Sequence, residues 1–348
     1  MAFYLYGTFA TLAGLKALVV TPGGFNPDCY MATAWARHYL GRPGFNLTVH
    51  DMHTQGFIHP FLYVPLLGLL DLLGVPSAAQ DDLAISAVYA ITAGLIVALA
   101  FLCGRAYLSR EAAATCAVLS LMVLIFGMDI DSYSPNGEML GSVLLLLLWA
   151  LLIHAEHLRF WLPAAVLIGT IGFHLKYQLA IQILLFIWLS DQFRADKRRL
   201  TLYLVLACIL VDLIVFRLGG EGILSRAGAL IFDYSFSEIG EGGKLGSINS
   251  FIPLLLNLLL TILAYTPQIL IAWLCWIYGQ ADSPAGEKQA LADMKASALM
   301  IAGTFAAILL PAKGFPHYNL LLIPTTTFVM VLALRNSRLS ANKTKAFS

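Results

Sequence analysis

AISAVYAITAGLIVALAFLC (84–103) holds twenty residues without a charge. As a helix it rises about 30 Å, the thickness of a bilayer's hydrocarbon core. Its apolar residues do not keep to every second position, so it is not a barrel strand. Working outward, 139–153, 200–216 and 251–279 are further apolar runs. The whole chain of 348 residues is 59% hydrophobic and 12% charged, with a mean hydropathy of +0.79. A soluble domain carries about twice that charge, roughly 25%. The pattern predicts an all-α polytopic membrane protein, one transmembrane domain over 1–348.

Ten spans are read at 4–20, 83–103, 111–128, 138–156, 160–174, 176–190, 200–216, 251–279, 296–312 and 318–334, the eighth kinked at Pro267. The positive-inside rule puts the N-terminus in the cytoplasm. That orientation gathers Arg105, Arg110, Arg159, Arg194, Lys197, Arg198, Arg199, Lys288 and Lys295 inside, along with the tail 335–348. Residues 4–20 lack a basic leader and a small-residue cleavage site, so they read as an uncleaved first helix. HPFLYVPLLGLLDLLG (59–74) is short, with two prolines and Asp71, and counting it as a span would invert every later basic cluster. It is read as an interfacial or re-entrant helix of the first outer loop, 21–82. The second outer loop, 217–250, is rich in glycine and reads either as a lid or as a plain connector. The net charge of +1 suggests no nucleic-acid partner, and no polar stretch is long enough for a soluble domain. The five cysteines show no metal-ligand spacing.

This topology brings scattered polar residues to one outer face. Ionisable groups beside lipid cost several kcal/mol each if unpaired, so their convergence marks a site. Asp28 precedes a predicted amphipathic helix, DCYMATAWARHYLG (28–41), where it can cap the helix or act as a rigidly held base. HDMHTQGFIHP (50–60) supplies His50, Asp51, His53 and His59, a metal-ligating set or a polar wall for substrate. FGMDIDSYSPNGEM (126–139) carries the D-x-D pair Asp129 and Asp131, oxygen ligands that suit a divalent cation such as Mg or Mn. Pro135-Asn136-Gly137 reads as a turn. Glu138 then begins a helix, where an acid complements the dipole. In HLKYQ (174–178), Lys176 either snorkels to the interface or meets a phosphate as a point charge. PAKGFPHYNLLLIP (311–324) repeats the theme with Lys313, His317 and Tyr318.

In this order the motifs resemble the GT-C superfamily of membrane glycosyltransferases, especially the protein mannosyltransferase and aminoarabinose transferase branch. The resemblance rests on Asp28 after the first span, followed by Tyr30 and Ala34 on a helix ending at Gly41. It continues with Asp51 upstream of His59, Pro60 and Leu62, then with Pro135 and Glu138, Lys176 and Tyr177, and His317, Tyr318, Leu320 and Pro324. The chain departs from the family pattern in two places: Cys29 stands where a second acid is usual, and Phe61 replaces a second proline.

The resemblance implies a sugar donor on a polyprenyl phosphate and a lipid, glycan or protein acceptor, at the periplasmic face of a bacterial inner membrane. Asp28 would be the general base of an inverting transfer. Lys176, Lys313 and His317 would stabilise the leaving phosphate. Tyr30, Asp51, His53, His59, Glu138, Tyr177 and Tyr318 would shape the substrate pocket, and Asp129 and Asp131 would hold a metal. Two other readings stand beside it. One is a transporter or flippase of a lipid-linked sugar, for which Asp212 is the one acid within a span. The other is an outer-face acyltransferase with His174 as its base.

Overall fold

The chain's computed structural model describes residues 1–19, 25, 27–41, 58–126, 134–190, 196–217, 259, 263, 265–278, 284–309 and 316–336. Among them every regular element is helical. The helices are α1 (Ala2–Val19), α2 (Pro27–Gly41), α3 (Ile58–Phe61), α4 (Val64–Leu72), α5 (Ser77–Arg105), α6 (Arg110–Phe126), α7 (Gly137–Ile153), α8 (Trp161–Leu175), α9 (Leu179–Leu189), α10 (Lys197–Arg217), α11 (Thr266–Tyr278), α12 (Pro284–Leu309) and α13 (Leu322–Arg335). Short 3-10 turns stand at Ala155–His157 and Pro316–Leu321. Among the described residues two helices are long and apolar enough to cross a membrane, Ser77–Arg105 and the Glu287–Ile308 stretch of α12. The expected spans at 138–156, 160–174 and 176–190 appear as shorter apolar helices, Gly137–Ile153, Trp161–Leu175 and Leu179–Leu189.

Neighbours in sequence pack as neighbours in space. α1 lies along α5, which packs on α6 and α7, and α7 packs on α8 and α9. α13 closes the bundle against α6, α11 and α12. The hub is Trp149 of α7, fully buried. Its ring centroid lies 6.2 Å from Tyr107, 5.7 Å from Phe186 and 5.2 Å from Phe328, tying α7, α9 and α13 through large aromatic area. Polar threads cross the same interior. Gln182 donates to the Leu321 carbonyl (2.8 Å), and the hydroxyls of Ser120 and Thr327 meet at 2.6 Å. Such bonds specify which helix faces which in an otherwise uniform apolar interface.

The bundle has two distinct ends. At one, the Arg110 guanidinium reaches the Met1 sulfur (3.8 Å), and Arg335 lies over the Tyr107 ring (5.0 Å) while it pairs with Asp293. The chain start, the α5–α6 turn, the first half of α12 and the end of α13 therefore meet there. The start of α7, the α8–α9 break and α3 meet at the other.

Two helices begin earlier than their apolar runs. α5 starts at Ser77 rather than 83 because its polar first turns are paired. Arg37 meets Asp81 at 3.0 Å, Tyr30 donates to Asp82 at 2.6 Å, and Gln80 donates to Asp71 at 2.7 Å. α12 starts at Pro284 rather than 296, with Asp293 buried in its partnership with Arg335. Residues 59–74 form α3 and α4, broken at Leu62–Tyr63 and ending at Gly74, whose φ of +69° only glycine adopts without strain. Nine-residue α4 is about 14 Å long, too short to span. The expected loop 217–250 lies outside the described residues beyond Arg217, as does the tail beyond Asn336.

Candidate functional site

The start of α7 is built by its turn. Asn136 Oδ1 accepts the Met139 amide (3.0 Å) as the helix cap, and the Asn136 amide donates to the Ser134 carbonyl (2.8 Å). Glu138 follows in the first helical turn, fully buried. Lys176 ends α8 with an extended backbone (φ −152°, ψ 117°), which breaks the α8–α9 run and turns the side chain inward. Its ammonium lies 3.1 Å from the Glu138 carboxylate, with the two side chains 7% and 1% exposed. Lys176 is therefore not snorkelling. Its stem crosses Gly137 so closely that a Cβ there would stand 2.7 Å from Lys176 Cε.

His59 completes this group from α3. Its Nε2 donates to the Pro135 carbonyl at 3.0 Å, and a carbonyl can only accept, so the proton sits on Nε2. Burial pushes the imidazole down to about 4, and the Lys176 charge acts in the same direction. His59 thus stands beside the pair as a neutral donor to backbone, where the sequence suggested a metal ligand or part of a polar wall for substrate. Its ring lies 5.5 Å from that of Tyr63, which is fully buried.

The remaining expected residues fall at varied distances from this core. Asp28 lies in the first turn of α2, beside Cys29, but its side chain is outside the described set. Tyr30 is committed elsewhere, to Asp82 on α5. Tyr177 is half-buried in the turn that opens α9, where its carbonyl accepts the Ala180 amide. His317 and Tyr318 belong to the Pro316–Leu321 turn, which packs on α7 through the Ser142 hydroxyl and the Leu320 carbonyl (2.9 Å); their side chains are outside the described set. Asp51, His53, Asp129, Asp131 and Lys313 lie outside the described residues. Among the described residues no cluster of three or more His, Cys, Asp or Glu side chains could hold a metal ion. His174 is buried in the last turn of α8, the helix on which α10 packs.

An apolar cavity of about 400 Å³ lies between α4, α5, α7 and α8. Leu62, Val88, Ile91, Leu140, Leu144 and Leu175 are among its walls. Leu62 is one turn from His59, Leu140 is two residues from Glu138, and Leu175 adjoins Lys176. Thr92, a polar side chain in the lining, turns its hydroxyl back to the Val88 carbonyl (2.6 Å). Sequence reasoning did not find this space, nor the structural parts played by Tyr63 and Gly137. The one available mark was a glycine directly before an acid at a helix start.

Fold and site together define a protein whose described regular elements are all helical, with a buried lysine–glutamate pair and an apolar cavity between α4, α5, α7 and α8. No family model, curated protein or solved structure matches the chain.

Proposed function

We propose that this is a polytopic membrane glycosyltransferase that moves a sugar from a polyprenyl phosphate to an acceptor at the extracytoplasmic face. The observation that carries the reading is the buried Lys176–Glu138 pair, close in sequence to Leu140 and Leu175, which line an apolar cavity of about 400 Å³. A phosphate exchanging for the Glu138 carboxylate meets the Lys176 charge, while the proximal part of the lipid chain fills the slot. A volume of this size lies within the usual range of about 300–1,000 Å³ for small-ligand sites. The membrane setting is supported by the apolar faces that the described helices leave exposed. On α10 these include Leu202, Leu206, Leu210 and Leu213. The ten-span arrangement belongs to the same reading.

In the mechanism, Asp28 takes the proton of an acceptor hydroxyl. The acceptor oxygen bonds to the anomeric carbon as the bond from that carbon to the phosphate oxygen breaks, and the configuration inverts. Lys176, with Lys313 and His317, stabilises the negative charge on the departing lipid phosphate. Asp129 and Asp131 are the ligands offered to a divalent metal, which would neutralise phosphate charge when bound. The test is consumption of polyprenyl-phosphate sugars by the purified protein in liposomes. Release of lipid phosphate that Asp28→Asn abolishes supports the reading, and full transfer by Asp28→Asn removes the base.

A second reading is favoured by one observation, the burial of both His174 on α8 and Asp212 on α10, helices that pack on each other. An acid and an imidazole buried among apolar helices suit a transporter or flippase of a lipid-linked sugar. Movement of labelled donor across liposomes without turnover would select it. An acyltransferase with His174 as base predicts instead acyl transfer lost in His174→Ala.

A further inference from the structure

We infer that the N-terminal mouth of α7 is a phosphate-binding site, in which the Asn136 side-chain amide donates a hydrogen bond to the anion that Lys176 neutralises. That the phosphate belongs to a lipid-linked sugar rests on the glycosyltransferase reading. The donor at the helix mouth rests on geometry.

Asn136 is 1% exposed, and all but one of its polar atoms have partners. Its backbone N–H donates to the Ser134 carbonyl (2.8 Å), and its carbonyl accepts the Leu140 amide (3.1 Å). Oδ1 accepts the Met139 amide (3.0 Å) as the cap of α7. Nδ2 is left, buried and with no acceptor among the described residues. The side-chain amide is not reversed, because with Nδ2 in place of Oδ1 two N–H groups would face each other at the cap. A buried donor without an acceptor is costly, and native proteins rarely keep one without a use. Capping does not need it. Aspartate and serine cap as well as asparagine, and of the three only asparagine brings an N–H.

The place of Nδ2 follows from the cap. Oδ1 is fixed on the Met139 amide, so the side-chain amide lies over the open end of the helix and Nδ2 lies there with it. The first N–H groups of a helix have no acceptor within it and form the positive end of the dipole, a setting that favours an anion. The ammonium of Lys176 reaches the same turn, 3.1 Å from the Glu138 carboxylate, and its stem runs against Gly137, between Asn136 and Glu138. His59 holds the turn from α3 through the Pro135 carbonyl (3.0 Å). The Glu138 carboxylate answers the charge of Lys176 and leaves Nδ2 unmet. A phosphate leaving group carries three strong acceptor oxygens and can meet both.

The experiment follows thermal unfolding of the full-length protein in phosphatidylcholine nanodiscs titrated with a polyprenyl monophosphate, with the uncharged polyprenol as control. A ligand of the folded state raises the melting temperature with its concentration, and the phosphate should raise it further than the alcohol. Asn136→Ser keeps a cap, on a side chain too short to reach the position of Nδ2, so its melting temperature without ligand should hold. The lipid-phosphate concentration needed for the wild-type rise should grow about tenfold or more, the loss of one hydrogen bond to a charged group. Lys176→Met should lose the response as well. Should Asn136→Ser not fold, Asn136→Asp decides, since it caps and offers no donor. A response in Asn136→Ser equal to the wild type's overturns the site, as does a wild type that answers phosphate and polyprenol alike. A response reproduced by inorganic phosphate alone, and lost in Asn136→Ser, keeps the site and assigns it to free phosphate. Sugar transfer separates the two claims. Transfer unchanged in Asn136→Ser keeps the glycosyltransferase and removes the site. An Asn136-dependent response to the lipid phosphate, with no transfer by the wild type, keeps the site and removes the glycosyltransferase.

Discussion

The two ends of the bundle each bury an ion pair, and the pairs are built differently. Asp293 accepts from Arg335 Nε (3.0 Å) and Nη2, from Asn336 (2.6 Å) and from Gln289 (2.8 Å), while the guanidinium lies over Tyr107. It is a forked, multiply satisfied lock between α12 and the end of α13. Lys176 meets Glu138 as a point charge at 3.1 Å, without a fork. Buried charges are tolerated when their hydrogen-bonding capacity is filled, and arginine fills it in a fixed plane. Lysine holds no such plane, so its partner can be exchanged at lower cost. The first pair fastens the bundle. The second is suited to trade its carboxylate for a phosphate.

The comparison breaks most readily at the fastening end. Asp293→Ala removes the carboxylate that Arg335, Asn336 and Gln289 share, and the loss should be about 3–5 kcal/mol. Thermal unfolding in detergent measures it, and a loss below about 1 kcal/mol would make the pair a surface-like contact. At the other end the effect should fall on activity. Lys176→Met is expected to cut sugar transfer by about 10²–10³-fold, the usual cost of removing one charge-stabilising group. Combining it with Glu138→Gln removes both charges and should recover stability without recovering transfer. A double variant that transfers at the wild-type rate would reduce the pair to a second lock.

Much of the site-bearing end was legible from charge and topology alone. Those arguments bring Glu138 and Lys176 to one face, and the structure joins them at 3.1 Å. Apolar runs marked the helices, and 138–156 and 200–216 lie within three residues of the observed ends of α7 and α10. Polar helix ends were not legible. Asp81, Asp82 and Asp293 read as loop residues because their partners, Arg37, Tyr30 and Arg335, lie more than forty residues away. The state of His59 was hidden for the same reason. Its partner is a backbone carbonyl 76 residues on, and a carbonyl leaves no mark in a sequence.

That histidine gives a pH signature to the site end. The unfolded chain takes up a proton at His59 near its ordinary 6.5, the folded chain only near 4. Between those values the unfolded state binds more protons, so stability falls as pH drops through the window and is fully present above it. The shift corresponds to about 3 kcal/mol at most. Melting temperature measured from pH 7 to 4.5 should decline in the wild type, and His59→Gln should remove that share of the decline. Equal declines would show that His59 is not held neutral.

The smallest change is the sharpest probe of the exchange argument. Gly137 opens α7 without a positive φ, so alanine is conformationally acceptable there and favours helix. The obstacle is steric: its Cβ would stand 2.7 Å from Lys176 Cε and 3.1 Å from Cγ. A lysine stem can shift by a few tenths of an ångström, so Gly137→Ala should cost only about 1 kcal/mol, the lower end for overpacking. The ammonium at the end of that stem must move with it, away from its 3.1 Å approach to Glu138. If Lys176 meets the donor phosphate, donor KM should rise several-fold while the melting temperature barely changes. If donor KM holds in Gly137→Ala, the phosphate does not depend on where Lys176 stands, and the site end is a weaker copy of the Asp293–Arg335 lock.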